Sequence, residues 1–336
     1  MLLMFSACGS RNHTTKVVLT TGFARDEVFK IENMSCRVPE ILLYLVTVKN
    51  QYAETFGEEI FQVSLDGVSL EENLKETVLA RIAQIKTLNL MAQDKKVTLD
   101  DAEADSVKKA SEEFYRSLNE TEIEKIGLSE KLVIQMYTEY ALAEKIYAYI
   151  IQDINPEISD DEARIVTVEQ IFLKTYTRDG SGKRVEYSDK AREAAYAQIT
   201  EAYGLVTDGS HNFTDVAALY SEQTDIKISF GKGEVSDALE ETAFNMSTGE
   251  ISGIIEDNDG YYILKCISTF DKEETDQNKL RIMEERKQEV FGEEYDSYVE
   301  TLTRILNEKL WNEVSCPDDP EVTTSDFFRI YEKYFS

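Results

Sequence analysis

The chain has 336 residues, which is enough for two or three domains rather than a single core. Hydrophobic residues make up 42% and charged residues 30%, the composition of a globular protein with little long disorder. The net charge of −29 disfavours nucleic acid and broad adsorption on anionic lipid headgroups, because both partners require an excess of Lys and Arg. With only two histidines, His13 and His211, a His-rich metal site and a Ser-His-Asp site are disfavoured, and no metal or cofactor is predicted.

The first cysteine follows a short apolar stretch at the start of the sequence. A small residue, Ala7, precedes Cys8, and Gly-Ser follows it, which resembles the signal of bacterial lipoproteins. The position of Phe5 is usually Leu, and a charged segment before the apolar stretch is missing. We predict lipidation at Cys8, with a signal remnant and tether over residues 1–16. The alternatives are a fortuitous Phe-Ser-Ala-Cys sequence and a true start upstream. Elsewhere no stretch is long and apolar enough to span a bilayer.

The other three cysteines, Cys36, Cys266 and Cys316, are far apart and form no Cys-x-x-Cys pair. Neither a zinc knuckle nor a dithiol redox pair is therefore predicted. We expect all three to be small buried residues, while a single disulfide between two of them stays open.

The first half of the chain is predicted to be almost all helix. Residues 17–31 indicate a short strand, a turn at Gly22 and a helix that opens near Asp26. Beyond them, apolar residues recur at helical spacing and capping residues mark the ends. These signals predict helices from Pro39 to Gly57, from Leu70 to Ala92, from about Asp101, and from Ser129 to Ile150.

The composition changes after Pro156. The β-branched stretch RIVTVEQIFLKT predicts a strand, and a polar loop, three helices and a final hairpin follow it in a β-α-α-α-β-β order. From Lys272 to Trp311 a long charged helix is predicted, with Leu280 among its candidate contacts, and the aromatic tail TTSDFFRIYEKYF is expected to pack. Because a lone helix cannot bury its apolar face, this helix is predicted to pack on the N-terminal helices.

Six short motifs occur in order in the second half of the chain. The motifs are VEQIFLK (168–174), FTDVAALYSE (213–222), FGKGEV (230–235), LEETAF (239–244), TGEISG (248–253) and DGYYILK (259–265). Together they resemble a parvulin-type peptidyl-prolyl isomerase domain over about residues 164–270. With a lipoprotein-like Cys8, the whole chain resembles the extracytoplasmic foldase lipoproteins of the PrsA type and the related SurA chaperones.

The resemblance implies an α+β fold, in which a helical chaperone domain formed by N- and C-terminal segments carries an inserted parvulin-like α/β domain with a small antiparallel sheet flanked by helices. The implied boundaries are 17–160 for the N-terminal helical domain, 164–270 for the isomerase domain, and 272–336 for a C-terminal helix and tail that pack on the N-terminal domain.

The resemblance also assigns a proline pocket. Its apolar residues fall on Phe230, Val235, Leu239 and Ile228, with Ile226 as an alternative wall. Val235 stands where the family commonly has Met, and Leu239 where it has Phe, so the pocket is expected to be apolar but made of smaller side chains.

The catalytic positions depart further from the family. Gln170 and Tyr262 stand where parvulins place a His in the first and last strands, and Gln223 stands where Asp or Cys is usual. Asp259 is a further candidate catalytic residue, and Asp225 is a candidate for the role that Asp or Cys usually has at position 223. We expect Gln170 and Tyr262 either to brace each other across the strands by a hydrogen bond or merely to satisfy a buried polar spot.

The resemblance implies a foldase that is anchored through Cys8 to the outer face of the bacterial cytoplasmic membrane. It would bind unfolded or nascent secreted polypeptides and catalyse cis-trans isomerisation of X-Pro bonds. The alternative is a non-catalytic binding chaperone whose parvulin domain only docks peptides. A solute-capturing lipoprotein of a transporter is disfavoured, because no two-lobed α/β pattern appears.

Three further signals have simpler explanations. The stretch DGSGKR lacks the residues of a phosphate loop, so its basic cluster is interpreted as a solvated loop. The acidic run EISDDEA is interpreted as a helix start, since carboxylates in a first turn interact favourably with the helix dipole. Four tyrosines on one helix, at positions 137, 140, 147 and 149, either pack in the core or line a chaperone cleft.

Overall fold

The structure, a computed structural model, describes residues 22–65 and 67–335. Cys8 and the predicted tether lie outside the described residues, and so does the short strand predicted before Gly22. By their contacts the described residues form two compact units. The first unit comprises the residues up to Asp153 together with those from Val290, and the second unit is Ile154–Glu289.

The first unit is mainly helical, and local signals in the sequence account for its helix ends. Pro39 lies in the first turn of helix α1, and Gly57 follows its end. Gly127 is left-handed after α4, and Ser129 accepts a hydrogen bond from the amide of Leu132 at the start of α5. The helices are α1 (Val38–Phe56), a 3₁₀ turn (Glu58–Gln62), α2 (Leu70–Lys95), α3 (Asp101–Ser117), α4 (Glu120–Ile126) and α5 (Glu130–Ile151).

The segment before α1 is a hairpin, so the helix predicted near Asp26 is wrong. Strands β1 (Glu27–Ile31) and β2 (Met34–Arg37) are antiparallel, and Glu32 adopts a positive φ of 50° in the turn between them. Strand β1 also pairs with a strand far along the chain, Arg304–Leu306, in the register Phe29 opposite Leu306. This pairing supplies hydrogen-bond partners that a single-sequence pattern cannot reveal. A second short hairpin, β3 (Ser64–Leu65) with β4 (Val68–Ser69), precedes α2.

The aromatic tail packs in the core of the first unit, as predicted. It forms a helix, Phe327–Phe335, whose Phe327 is fully buried and stacks on Tyr137 with ring centroids 4.5 Å apart. The Tyr137 hydroxyl donates to the Phe327 carbonyl at 2.6 Å. Tyr137 is therefore a core residue, whereas Tyr149 on the same helix is 46% exposed.

A buried ion triad lies in the same unit. The ammonium of Lys86 is 2.5 Å from a carboxylate oxygen of Glu40 and 2.7 Å from one of Glu139, and Lys86 is fully buried. The backbone amide of Arg37 donates to the other oxygen of Glu40, and the side chain of Gln135 donates to Glu139. Two carboxylates thus share one ammonium, and the fully ionised triad carries one excess negative charge.

The second unit is built on one antiparallel sheet. The predicted strand became β5 (Val166–Lys174) and the predicted final hairpin became β9 (Ile255–Asp257) and β10 (Gly260–Ser268). A short strand between the helices, β8 (Lys227–Phe230), was not predicted, and it completes the strand order β8-β5-β10-β9. The polar loop contains a small hairpin, β6 (Tyr176–Arg178) and β7 (Arg184–Glu186). The helices are α6 (Asp160–Ala163), α7 (Asp189–Thr207), α8 (Phe213–Tyr220) and α9 (Asp237–Asn245).

Both faces of this sheet are covered, and this explains why β10 is buried on successive residues. One face, with Ile171 and Ile263, packs against α7 and α8. The other face, with Phe172, Tyr262 and Leu264, packs against α9. The α+β class predicted from the sequence is confirmed, with helices flanking a small antiparallel sheet.

The long charged helix is shorter than predicted. Helix α10 runs from Lys272 to Thr301, and the chain then forms strand β11 (Arg304–Leu306) and a short helix, α11 (Glu308–Glu313), before the tail helix α12. Leu280, a predicted packing residue, is 63% exposed. Residues 272–289 of α10 belong to the second unit, and from Val290 the helix belongs to the first unit, where Phe291 contacts Tyr147 edge-on at 4.7 Å.

The predicted helix start in the acidic run is confirmed, since Ser159 caps α6 by accepting from the Glu162 amide at 3.1 Å. The three cysteines in the described ranges are free thiols, and Cys316 is half-buried while the other two are buried. Among the helices that the structure describes, none is both long enough and apolar enough to cross a bilayer.

Candidate functional site

The strand register places the predicted site residues on one face of the sheet. Tyr262 lies opposite Phe172, and Leu264 lies opposite Gln170, in the antiparallel pair of β10 and β5. Because side chains alternate between the faces of a strand, Gln170, Phe172, Tyr262 and Leu264 all point to the side covered by α9. We call this side of the sheet, with the residues of α9 that cover it, the pocket face.

The four predicted proline-pocket residues belong to one apolar cluster on the pocket face. Strand β8 supplies Phe230 and Ile228, helix α9 supplies Leu239, and Val235 precedes that helix. Phe230 and Leu239 are buried, whereas Ile228 and Val235 are half-buried. The accessible part of this cluster is therefore the half-buried pair, which lies over a floor of buried side chains. Ile226, the alternative wall, packs on the opposite face.

The environment of Tyr262 is apolar around the ring and acidic at the hydroxyl. Its ring lies 4.6 Å from that of Phe172, and the residue is 5% exposed. Its hydroxyl donates to the carboxylate of Asp259, with both oxygens at 3.0 Å. Burial, followed by the negative charge of Asp259, raises the pKa of Tyr262 well above its usual value. Tyr262 is therefore neutral at physiological pH, and its proton is directed to Asp259.

Gln170 is fixed by a different neighbour. Its side-chain amide donates to the carbonyl of Asp225 at 3.0 Å, and its backbone amide donates to the carbonyl of Ile226 at 2.8 Å. Gln170 and Tyr262, both within the described ranges, are thus bonded to different partners, and the expected cross-strand brace between them is not formed. The second reading of these residues, as groups that satisfy buried polar positions, agrees with these contacts.

The loop after α8 carries the remaining catalytic candidates. Gln223 is exposed, and its backbone amide approaches the hydroxyl of Ser221 at 3.4 Å. Asp225 is also exposed and meets Gln170 through its carbonyl oxygen. Ser221 fixes the loop to the sheet, because its hydroxyl also accepts from the amide of Phe172 at 3.1 Å. Gln223 is therefore brought near the first strand by the backbone of its loop.

The polar side chains of this arrangement are engaged by internal partners. Rotation about an X-Pro bond requires no nucleophile, and it is accelerated by groups that favour the twisted amide over the planar one. The two buried polar side chains of the pocket face donate to internal acceptors, Asp259 and the Asp225 carbonyl. Gln170 keeps a second amide hydrogen for a ligand. Cys266, on the same face, is fully buried, and burial raises the pKa of its thiol, which disfavours the reactive thiolate.

Two contributors to the site were not predicted. Ser252 is buried, and its hydroxyl accepts from the amide of Leu264 at 2.9 Å while donating to the Gly253 carbonyl. Asp257 lies two residues after Ile255 on β9, and Ile255 packs on the pocket face. The alternation of residues on this strand was the available signal, but β9 has only three residues and gives a weak pattern.

A concave region lies on the face of the sheet opposite the pocket face. This cleft of about 450 Å³ is lined by residues of α7, including Arg192 and Tyr196, and by Glu256 and Tyr261. Its lining is largely charged, and none of the predicted site residues belongs to it. Within the described ranges, no group of three or more His, Cys, Asp or Glu side chains is arranged to hold a metal ion.

Comparison with known proteins agrees with the motifs. The family described as Rotamase, the PPIC-type PPIASE domain, matches residues 173–268. The chain is 22% identical over 317 residues to the foldase protein PrsA of Clostridium botulinum, which covers 89% of this chain and 90% of that protein. It is 30% identical over 113 residues to the peptidyl-prolyl cis-trans isomerase Pin1 of Arabidopsis thaliana, which covers 30% of this chain and 92% of that protein.

Among solved structures, the crystal structure of peptidylprolyl isomerase (PrsA) from Bacillus cereus covers 80% of this chain and 97% of that chain, with 17% identity and a TM-score of 0.36. The resemblance inferred from the six motifs is confirmed by the family match and the relatives. The chain therefore belongs to the PPIC-type, or parvulin, family of peptidyl-prolyl isomerases and carries the domain of that family within a PrsA-like foldase.

Proposed function

We propose that this protein is a membrane-anchored extracytoplasmic foldase that binds unfolded secreted polypeptides and isomerises their X-Pro bonds slowly. The observation that carries the proposal is the apolar cluster on the pocket face, where the family's proline-pocket positions, among them Phe230 and Leu239, lie on the same side as Tyr262. The names of the relatives, foldase and peptidyl-prolyl isomerase, support the same conclusion.

The pocket alone gives weak binding. Burial of a proline ring against Ile228 and Val235 contributes roughly 1–2 kcal/mol from area. A contribution of that size falls short of the roughly 4 kcal/mol that a millimolar Kd requires, so useful capture of a client needs further contacts from the same chain. We assign these contacts to the first unit, the residues up to Asp153 and from Val290, while the second unit, Ile154–Glu289, carries the isomerase domain predicted over residues 164–270.

Slow catalysis follows from the partners of the polar groups. The Tyr262 hydroxyl and the Gln170 amide donate to Asp259 and to the Asp225 carbonyl, and a twisted prolyl amide must compete with these acceptors for their protons. The second candidate is a chaperone that binds without catalysis. The same contacts favour it if a twisted prolyl amide never displaces Asp259 or the Asp225 carbonyl as the acceptor.

An isomerisation assay on the full chain separates the two candidates. With a proline tetrapeptide we expect a weak acceleration that Leu239→Ala abolishes, because the buried floor of the pocket is removed. Leu219→Ala, at a side chain that is 77% exposed on α8, is the control and should leave the rate unchanged. A rate equal to that of buffer, with suppression of client aggregation intact, would establish the binding chaperone.

Restoring the residues that the family usually has at the catalytic positions tests the cause of slow isomerisation. The triple variant Gln170→His, Tyr262→His and Gln223→Asp should accelerate isomerisation over the wild type if only these groups limit it. No increase in the rate of a folded triple variant would place the limit in the smaller apolar pocket instead.

Membrane anchoring rests on the Phe-Ser-Ala-Cys-Gly-Ser junction. Labelling of cells with a fatty-acid probe should mark the wild type and leave Cys8→Ala unlabelled, whereas Cys316→Ala, at a half-buried thiol, should retain the label. Equal labelling of wild type and Cys8→Ala would end this part of the proposal. The experiment uses the full precursor, so that any upstream segment is present.

A further inference from the structure

Two carboxylates lie at the Tyr262 end of the pocket face. Asp259 accepts the Tyr262 hydroxyl, and Asp257 lies on the same side of β9 as Ile255, which packs on the pocket cluster. The pairing of Gly260 with Asp257 and of Tyr262 with Ile255 puts both ends of β9 beside β10. Asp259 and Asp257 also contribute, after burial, to the raised pKa of Tyr262, which agrees with their proximity to its hydroxyl.

The nearby cations have closer partners of their own. Lys174, at the end of β5, is 3.3 Å from Glu222, whose other oxygen accepts the Lys174 backbone amide. Arg184 is 2.5 Å from Glu186 and donates to the Asn258 carbonyl at 2.6 Å. Arg184 is also within electrostatic range of Asp259, but its ion pair is with Glu186. Arg178, on the hairpin beside them, donates to the Gly182 carbonyl at 3.1 Å. Among the ion pairs of the described residues none includes Asp257 or Asp259, so neither carboxylate has a cationic partner of its own.

We propose that Asp257 and Asp259 determine specificity, so that the pocket prefers prolines flanked by Lys or Arg and disfavours prolines flanked by Asp or Glu. This inference rests on the proposed function, because it assumes that the proline ring enters beside Val235 and Ile228. A residue next to the proline then lies within a few ångströms of the pocket wall, and both carboxylates are half-buried rather than fully hydrated.

The size of the preference follows from ordinary surface electrostatics. Both carboxylates are half-buried and partly screened by water, so together they give roughly a tenfold difference in affinity between a cationic and an anionic neighbour. Salt screens charges at this separation, because the Debye length shortens to about 3 Å at 1 M ionic strength. The net charge of −29 acts in the same direction on any cationic client, but it does not single out the proline pocket.

The test uses the full chain with ¹³C-labelled methionine methyl groups. Met246 belongs to the buried cluster of the pocket face, whereas Met91 and Met136 lie in the core of the other unit and serve as internal controls. Titration with capped Ala-Lys-Pro-Phe, Ala-Ala-Pro-Phe and Ala-Glu-Pro-Phe should shift Met246 with Kd rising in that order. We expect roughly a tenfold span at low salt that collapses in 1 M NaCl.

Variants locate the charge. Asp257→Asn and Asp259→Asn should each reduce the span, and the double variant should bring the three Kd values together. Glu193→Gln, on α7 over the opposite face, is the control and should leave the span unchanged. Asp259→Asn also changes the group that accepts the Tyr262 hydrogen bond. Asp257→Asn and the salt dependence of the wild type therefore measure the effect of charge without that change.

The outcomes are distinguishable. Equal Kd values for the three peptides, or a span that survives high salt or the double variant, would overturn the charge preference while the pocket remains. Charge-dependent binding without accelerated isomerisation would support the preference and refute catalysis. Failure of all three peptides to shift Met246 would overturn the pocket and, with it, the preference.

Discussion

Replacement of the buried ammonium of the first unit should be far more damaging than replacement of an exposed one. Lys86 is fully buried, and its contacts to Glu40 and Glu139 are 2.5 and 2.7 Å. In Lys86→Met the two carboxylates remain buried without their cation. Loss of one partner of a buried pair costs about 3–5 kcal/mol, because the remaining charge is desolvated and unpaired.

The assay is urea and thermal unfolding of the full chain. A loss of this size lowers the Tm of a domain of 150–250 residues by roughly 10 °C. The matched control is Lys109→Met, whose ammonium contacts Asp105 at 2.6 Å with both side chains more than half exposed. Water and salt screen such a surface pair, so the control should unfold almost like the wild type.

A rescue variant checks the cause. Replacement of Glu40 and Glu139 by Gln together with Lys86→Met removes all three charges, and it should recover most of the lost stability. If Lys86→Met were as mild as Lys109→Met, or if the triple variant were no better than the single one, the cost would not arise from unpaired buried charge.

Three further predictions concern stability. Burial raises the pKa of Glu40 despite the neighbouring Lys86. The contribution of Glu40 to stability is therefore fully present below pH 4.5, the ordinary pKa of a Glu side chain, and is lost as pH rises through the raised pKa of the folded state. The difference in unfolding free energy between wild type and Glu40→Gln should follow that trend, and a pH-independent difference would contradict it. Phe327→Ala should destabilise the first unit by about 3–5 kcal/mol in urea unfolding, compared with a few tenths for the exposed Leu219→Ala. Gly260→Ala should lower the unfolding free energy of the second unit by about 3 kcal/mol and make that unit sensitive to limited proteolysis, because the added Cβ would lie 2.1 Å from the Leu173 carbonyl oxygen. Unchanged protease resistance would refute the close approach.

Helix ends were predictable from the sequence because they depend on residues close in the chain. Pro39, Gly57, Gly127 and Ser129 act within one turn of the helices that they delimit. The hairpin near Asp26 was missed for the opposite reason. Its strand β1 is completed by Arg304–Leu306, and no local pattern records a partner so distant in the sequence.

The site shows the same division between local and distant information. Motif order located Gln170, Tyr262 and the apolar residues, and strand alternation assigned Tyr262 and Leu264 to one face. The hydrogen-bond partners were not predictable, because Gln170 finds a carbonyl 55 residues away while Tyr262 finds a carboxylate only three residues away. Which acceptor a buried side chain reaches depends on tertiary packing as well as on spacing.

The composition of the first unit from two separated segments has a consequence for biosynthesis. Residues 154–289 are complete once the ribosome has passed them, whereas the first unit waits for β11 and for the aromatic helix Phe327–Phe335. A polypeptide released early would present Phe114 and Tyr137 to solvent, without the ring of Phe327 that packs on both. Exposed aromatic surface of this kind is what proteases and holdases recognise. Folding of the first unit is therefore coupled to the synthesis of β11 and of the aromatic helix.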